Sequence, residues 1–320
     1  MIRSVVALAG HRKLLAGIGL GSSLLLTAHL GWMQGPRTWA EATGWEKVPE
    51  DGRAPFKSWM PSMGGDFNLH WLGHAGFRLE WGGQVVVVDP NLSPRCLPAR
   101  RILRVPPGGH AVGPVDVALI SHAHFDHLDL PTLRALAPQR VWVPRGARSF
   151  VEGATVGGEV RELEIMHTVE LGSLRITAVP AAHNGHRLHP FAADAEAVGY
   201  VIEHGDKALY IAGDTGFAND WQEIRRRFAP DMAVLPIGAF SPRRPLATYH
   251  LSPEEAVQVG LALGVDAVWP SHFGTFVLSL DQPHEALPRF AHEAAAQGLS
   301  WYVPVLWPGV QETGAEGLAS

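Results

Sequence analysis

The sequence predicts an α/β fold that presents its chemistry at the carboxyl ends of its strands, and three observations predict it. Short apolar, β-branched runs recur at the length of buried strands. Each of these runs is followed by a cluster of Gly, Pro, His or Asp, where open α/β sheets place their ligands. The 320 residues are 46% hydrophobic with 35 Gly and 25 Pro, enough for a large core broken by many turns.

Residues 115–120 (VDVALI) read as a buried strand running into Ser121-His122-Ala123-His124-Phe125-Asp126-His127. Three imidazoles and a carboxylate so close together would make a poor core, because each buried His or Asp needs its own polar partner. On extended chain His122 and His124 point the same way, and Asp126 and His127 follow as the backbone turns. Pro131 suits the first turn of a helix beginning near Leu130. One loop can therefore supply two ligands to each of two metals. Imidazole and carboxylate without thiolate suit zinc, with manganese or iron as alternatives.

Three later runs repeat the arrangement. Residues 174–179 (LRITAV) lead through Pro180 to His183; residues 208–212 (ALYIA) lead to Gly213-Asp214-Thr215-Gly216; residues 265–270 (VDAVWP) lead to Ser271-His272-Phe273-Gly274. A lone His after a strand is usually a capped loop residue, and it is the recurrence that marks His183, Asp214 and His272 as further ligands. His250 stands just before Ser252-Pro253-Glu254-Glu255, a capping box with proline at the first helical position, so packing on that helix start competes with a role in the site. His74 reads as a satisfied histidine beside a turn in preference to a donor behind the ligands. His186 and His189 read as polar loop residues.

The segment SHAHFDHLD resembles the HxHxDH signature of metallo-β-lactamase-fold hydrolases. Further segments resemble one branch, the N-acylphosphatidylethanolamine-hydrolysing phospholipase D: Trp71-Leu72-Gly73-His74-Ala75, Val88-Asp89-Pro90, Ala212-Gly213-Asp214-Thr215-Gly216-Phe217, Leu235-Pro236-Ile237-Gly238-Ala239-Phe240, His250 with Pro253-Glu254-Glu255-Ala256, and His272-Phe273-Gly274-Thr275-Phe276. The resemblance implies a four-layer αββα sandwich with two Zn2+ ions (Mn2+ or Fe2+ as alternatives) at one sheet edge. It implies His122, His124 and His183 on one metal, Asp126, His127 and His272 on the other, and Asp214 bridging them. The bridging Asp214 favours a phosphodiesterase over a β-lactamase proper. Asp126 and His250 carry the implied catalytic roles, His250 at the mouth of the site. The substrate expected is N-acyl phosphatidylethanolamine or a related phospholipid. A sugar-phosphate lactonase, a small-molecule phosphodiesterase and a membrane-tethered metal-binding protein without turnover are the alternatives, and a homodimer is left open.

The expected domains are an anchor or signal segment at 1–36, a linker at 37–65 and the catalytic domain at 66–320. Arg3, Arg12 and Lys13 precede residues 14–33 (LLAGIGLGSSLLLTAHLGWM), which lack Asp, Glu, Lys and Arg and are long enough to span a bilayer. No clean cleavage site follows, which favours a retained anchor with the catalytic domain outside the cytoplasm, on the periplasmic side; cleavage would make the protein secreted. The net charge of −5 provides no general attraction to nucleic acid. Cys96 is the single cysteine and forms no internal disulfide. Only four of the 26 basic residues are Lys. The arginines at 95, 100, 101 and 104 cluster after Asp89-Pro90, where a solvated face competes with contact to an anionic headgroup.

Overall fold

The computed structural model describes residues 39–47, 62–103, 105, 112–152, 158–187 and 194–302. Strands β1 (Asn68–Gly73), β2 (Gly76–Trp81) and β3 (Gln84–Val88) form an antiparallel meander. A two-residue Gly82-Gly83 loop, positive φ at both residues, closes the β2–β3 hairpin with the twist a tight hairpin needs. A small hairpin, β4 (Arg95–Cys96) and β5 (Ala99–Arg100), then leaves the sheet. Strands β6 (Val117–Leu119), β7 (Arg140–Pro144) and β8 (Glu159–Leu163) add in parallel beyond β3, giving the order β1-β2-β3-β6-β7-β8.

The second sheet repeats this plan. Strands β9 (Thr168–Leu171), β10 (Leu174–Pro180), β11 (Val198–His204) and β12 (Lys207–Ile211) run antiparallel, and β13 (Met232–Pro236) and β14 (Ala267–Ser271) extend it in parallel. Every residue of β6, β13 and β14 is buried, as parallel strands covered on both faces must be. The sheets share one core: Phe77 of β2 packs edge-on to Trp269 of β14 at 6.3 Å, and Trp71 stacks on Phe273 at 5.2 Å. With its helices this is the αββα sandwich that the resemblance implied.

The helices are α1 (Trp39–Thr43), α2 (Leu130–Leu136), α3 (Arg148–Glu152), α4 (Trp221–Phe228), α5 (Arg243–Leu246), α6 (Pro253–Leu263) and α7 (Ala286–Gln297). Pro131 occupies the first turn of α2 as its fixed φ favours, and Asp129 caps it by accepting from the Thr132 amide at 3.2 Å. The capping box before α6 is complete, with the Glu255 amide on Ser252 Oγ at 3.2 Å and the Ser252 amide on Glu255 Oε2 at 2.9 Å. Replacing Ser252 by Ala leaves that orphan amide unmet. We expect it to lower stability by about 1 kcal/mol in urea unfolding, with no loss of bound metal.

Residues 39–47, expected within a linker, are docked on the fold. Ala42 and Thr43 are buried, and Trp45 meets Trp301 edge-on at 6.1 Å. Ala42 and Trp45 find a covered surface beside α7, which a Pro- and Gly-rich stretch of sequence does not reveal. Residues 14–33 lie outside the described residues. Among the described residues no helix is long and apolar enough to cross a membrane.

Candidate metal centre

The strand exits meet at one edge of the sandwich, and the loop after β6 provides its centre. The outward nitrogens of the three histidines each face an oxygen placed to accept, which sets the tautomers. His122 Nδ1 lies 2.9 Å from Ser121 Oγ, whose own proton goes to Asp89 Oδ2 at 2.6 Å. His183 Nδ1 donates to the Tyr249 carbonyl at 2.8 Å, and His124 Nε2 to Asn184 Oδ1 at 3.2 Å. The remaining nitrogens, His122 Nε2, His124 Nδ1 and His183 Nε2, are therefore lone pairs facing one another. His124 Nδ1 is 2.9 Å from His122 Nε2 and 3.2 Å from His183 Nε2. Three lone pairs at that separation repel unless a cation stands between them, so these residues fit a metal.

A second group forms beside it from His74, Asp126, His127 and His272, with ligand atoms within 4.8 Å of one another. His127 Nδ1 donates to Asp89 Oδ2 at 2.7 Å, which turns Nε2 inward, where it is buried with no hydrogen-bond partner. Asp214 lies between the groups. Its Oδ2 is 3.2 Å from His127 Nε2, 3.1 Å from His272 Nε2 and 4.0 Å from His183 Nε2, while its Oδ1 is buried without a partner. The structure thus brings together His122, His124, Asp126, His127, His183, Asp214 and His272. His250 joins them, with Nδ1 3.7 Å from Asp214 Oδ2 and its ring 5.1 Å from that of His183. It faces the site and is not merely packed on the start of α6.

The electrostatics follow from burial and from the carboxylates. Burial holds His74 and His183 down to about 3 and His250 to about 4, so each is a neutral imidazole near pH 7. Burial also opposes charge on His272, but Asp214 and Asp126 overcome it and lift His272 to about 9. In the same way Asp214, Asp126 and Asp89 raise His127 against its burial. Burial likewise disfavours the Asp214 carboxylate, and His272 and His127 hold it ionised, well below the usual carboxylate range.

Two participants escaped the sequence reading. His74 Nε2 donates to Asp126 Oδ2 at 2.9 Å, so His74 orients a candidate ligand and is more than a satisfied turn residue. Its signal was position: it follows β1 at another strand exit, with φ +55. Asp89, quoted only within a motif, holds both His127 and Ser121. Replacing Asp89 by Ala frees the His127 ring, and we expect metal affinity to fall by about 10- to 100-fold, read by competition with a chromogenic chelator. The arginine cluster also resolves in part. Arg101 is buried, donating to the Asn91 carbonyl at 2.6 Å and to that of Leu72, so it braces loops and is turned away from any headgroup; Arg104 lies outside the described residues. His186 pairs with Asp194 on the surface, and His189 lies outside the described residues.

A four-layer sandwich with paired His/Asp ligand groups at one edge defines the class, a metal-dependent hydrolase fold. Residues 84–273 match the beta-lactamase superfamily domain, and the chain belongs to that superfamily of metal-dependent hydrolases. It is 31% identical over 245 residues to a UPF0173 metal-dependent hydrolase of Methanopyrus kandleri, covering 75% of this chain and 97% of that protein. It is 30% identical over 225 residues to an N-acyl-phosphatidylethanolamine-hydrolyzing phospholipase D of Caenorhabditis elegans, covering 64% of this chain and 63% of that one. Among solved structures, Igni18, a metallo hydrolase from Ignicoccus hospitalis, superposes with a TM-score of 0.57 at 26% identity, over 76% of this chain and 96% of its own.

Proposed function

We propose that the protein is a phosphodiesterase of phospholipase D type, using two zinc ions on N-acyl phosphatidylethanolamine or a related phospholipid. The observation that carries this reading is Asp214, a buried carboxylate whose Oδ2 reaches ligands of both groups. The likeness to the Caenorhabditis elegans phospholipase D supports the substrate class. Two divalent ions, when bound, supply an activated water and neutralise charge on the phosphoryl oxygens. The chain's own residues set the rest. Asp89 and His74 fix His127 and Asp126, Ser121 and Asn184 fix the tautomers of His122 and His124, and Asp126 and Asp214 hold the site's negative charge. His250, neutral and turned to the site, hydrogen-bonds a substrate oxygen.

In the overall reaction water adds to phosphorus and the P–O bond to the N-acylethanolamine breaks; phosphatidic acid and the free alcohol leave. Tethering through residues 14–33, with the domain outside the cytoplasm, would keep the enzyme at its substrate. The test uses the full chain with zinc and follows phosphatidic acid release from N-acyl phosphatidylethanolamine, with His124→Ala as control. Metal-dependent release that drops at least about 100-fold in the variant is expected, because a direct ligand matters more than the residues behind it. No release from protein holding two metals sinks the lipid assignment and turns attention to lactones and small phosphodiesters.

A further inference from the structure

Among the described residues six large apolar side chains are exposed, and four of them lie on loops around the metal centre. Phe217, 45% exposed, follows Asp214 on its loop. Tyr249, 37% exposed, gives its carbonyl to His183 and meets that ring edge-on at 5.9 Å. Leu280, 52% exposed, stands between Ser279 and Asp281, which line a cavity with His74 and His272. Leu97, 60% exposed, tops the β4–β5 hairpin. The segment leading into that hairpin is tied to the metal loop: Asn91 Nδ2 donates to the Asp126 carbonyl at 3.1 Å and Ser93 Oγ to Asp129 Oδ2 at 2.7 Å. The other two exposed residues, Ile165 and Leu261, lie between β8 and β9 and on α6.

Leu97 is the most telling of these. Its φ of +51° puts a leucine in the left-handed region, which a side chain with Cβ disfavours and glycine accepts freely. It is apolar, in a conformation that strains it, and leaves most of its surface to water. Exposed Arg95 and Arg100 flank it, and exposed Arg244 lies on α5 beside the Tyr249 loop, in a chain whose net charge is −5. Apolar tips with arginines beside them match the acyl boundary and phosphates of an anionic bilayer.

We propose that Leu97, Phe217, Tyr249 and Leu280 form a rim that docks the metal edge on an anionic lipid surface. The inference rests on the reading of that edge as the lipid's entrance, and it stands whichever ester bond is cut. A bilayer suits the rim better than a second copy of the chain, because exposed Arg95, Arg100 and Arg244 complement lipid phosphates.

The test labels introduced cysteines with an environment-sensitive nitrobenzoxadiazole dye in the full chain. Burial pushes the Cys96 thiol up, so it stays unreactive and need not be removed. Phe217→Cys and Leu280→Cys report the rim; Ile165→Cys and Leu261→Cys report the rest of the surface. With phosphatidylglycerol-rich vesicles, the rim labels should shift to the blue and be quenched by nitroxide lipids, the other two should not, and a Leu97→Asp change should weaken the rim signal at least twofold. Labels that respond equally at all four positions, or at none, overturn the proposal. So does a rim shift that tracks protein concentration before lipid is added, the signature of a second copy. A rim that docks without N-acyl phosphatidylethanolamine hydrolysis would leave this inference standing and the phospholipase reading fallen.

Discussion

An Asp214→Asn protein is expected to fold, to lose the larger part of its bound metal, and to lose hydrolytic activity by more than about 100-fold, beyond what residues behind the ligands cost. The substitution keeps the shape and removes the charge. Asp214 Oδ2 lies within 3.2 Å of two imidazole nitrogens in one group and 4.0 Å from His183 in the other, so one substitution weakens both positions. Asparagine can still offer an oxygen, but a neutral one, and its amide nitrogen would face the buried Nε2 of His127 or His272. Metal content by mass spectrometry and kcat/KM on the same preparation give the answer. Full occupancy with unchanged turnover would mean that Asp214 is a structural acceptor and that the two groups act independently. His127→Ala, by contrast, should empty chiefly its own group, since His122, His124 and His183 keep their converging lone pairs.

Much of this candidate centre was legible because the residues that could hold metal follow strands. The runs 115–120, 174–179 and 208–212 match β6, β10 and β12 to within two residues, and the HxHxDH loop follows β6 as its spacing required. What stayed hidden depends on contacts between distant parts of the chain. Nothing local to His74 says that its amide will meet Thr275 Oγ1 at 2.7 Å, or that its carbonyl will accept from the His272 amide at 3.0 Å. Asp89 faced the same problem, because its partners Ser121 and His127 come from the next parallel strand's loop. Gly238 is another case: a Cβ there would lie 1.9 Å from the His272 carbonyl oxygen, so the motif's glycine is demanded by a loop 34 residues away. Arg101 illustrates the opposite error. A run of arginines suggests a solvated face, and only the packed structure turns one of them inward.

The same interlock makes Trp71 the position where fold and centre fail together. Its side chain is fully buried, its ring stacks on Phe273 at 5.2 Å, and its Nε1 donates to the His74 carbonyl at 2.7 Å. That carbonyl also accepts from the His272 amide, so Trp71 fastens the loops carrying two histidines of the second group. Trp71→Ala removes a large ring from a close-packed core and is expected to cost about 3–5 kcal/mol in urea unfolding. Trp71→Phe keeps most of the stacking and loses the N–H, for about 1 kcal/mol from the hydrogen bond. The pair separates packing from anchoring. If Trp71→Phe binds metal as the parent does while Trp71→Ala is merely unstable, the indole serves the core alone. If Trp71→Phe is stable but its metal affinity has dropped severalfold, the hydrogen bond to His74 is what holds the second ligand group in register.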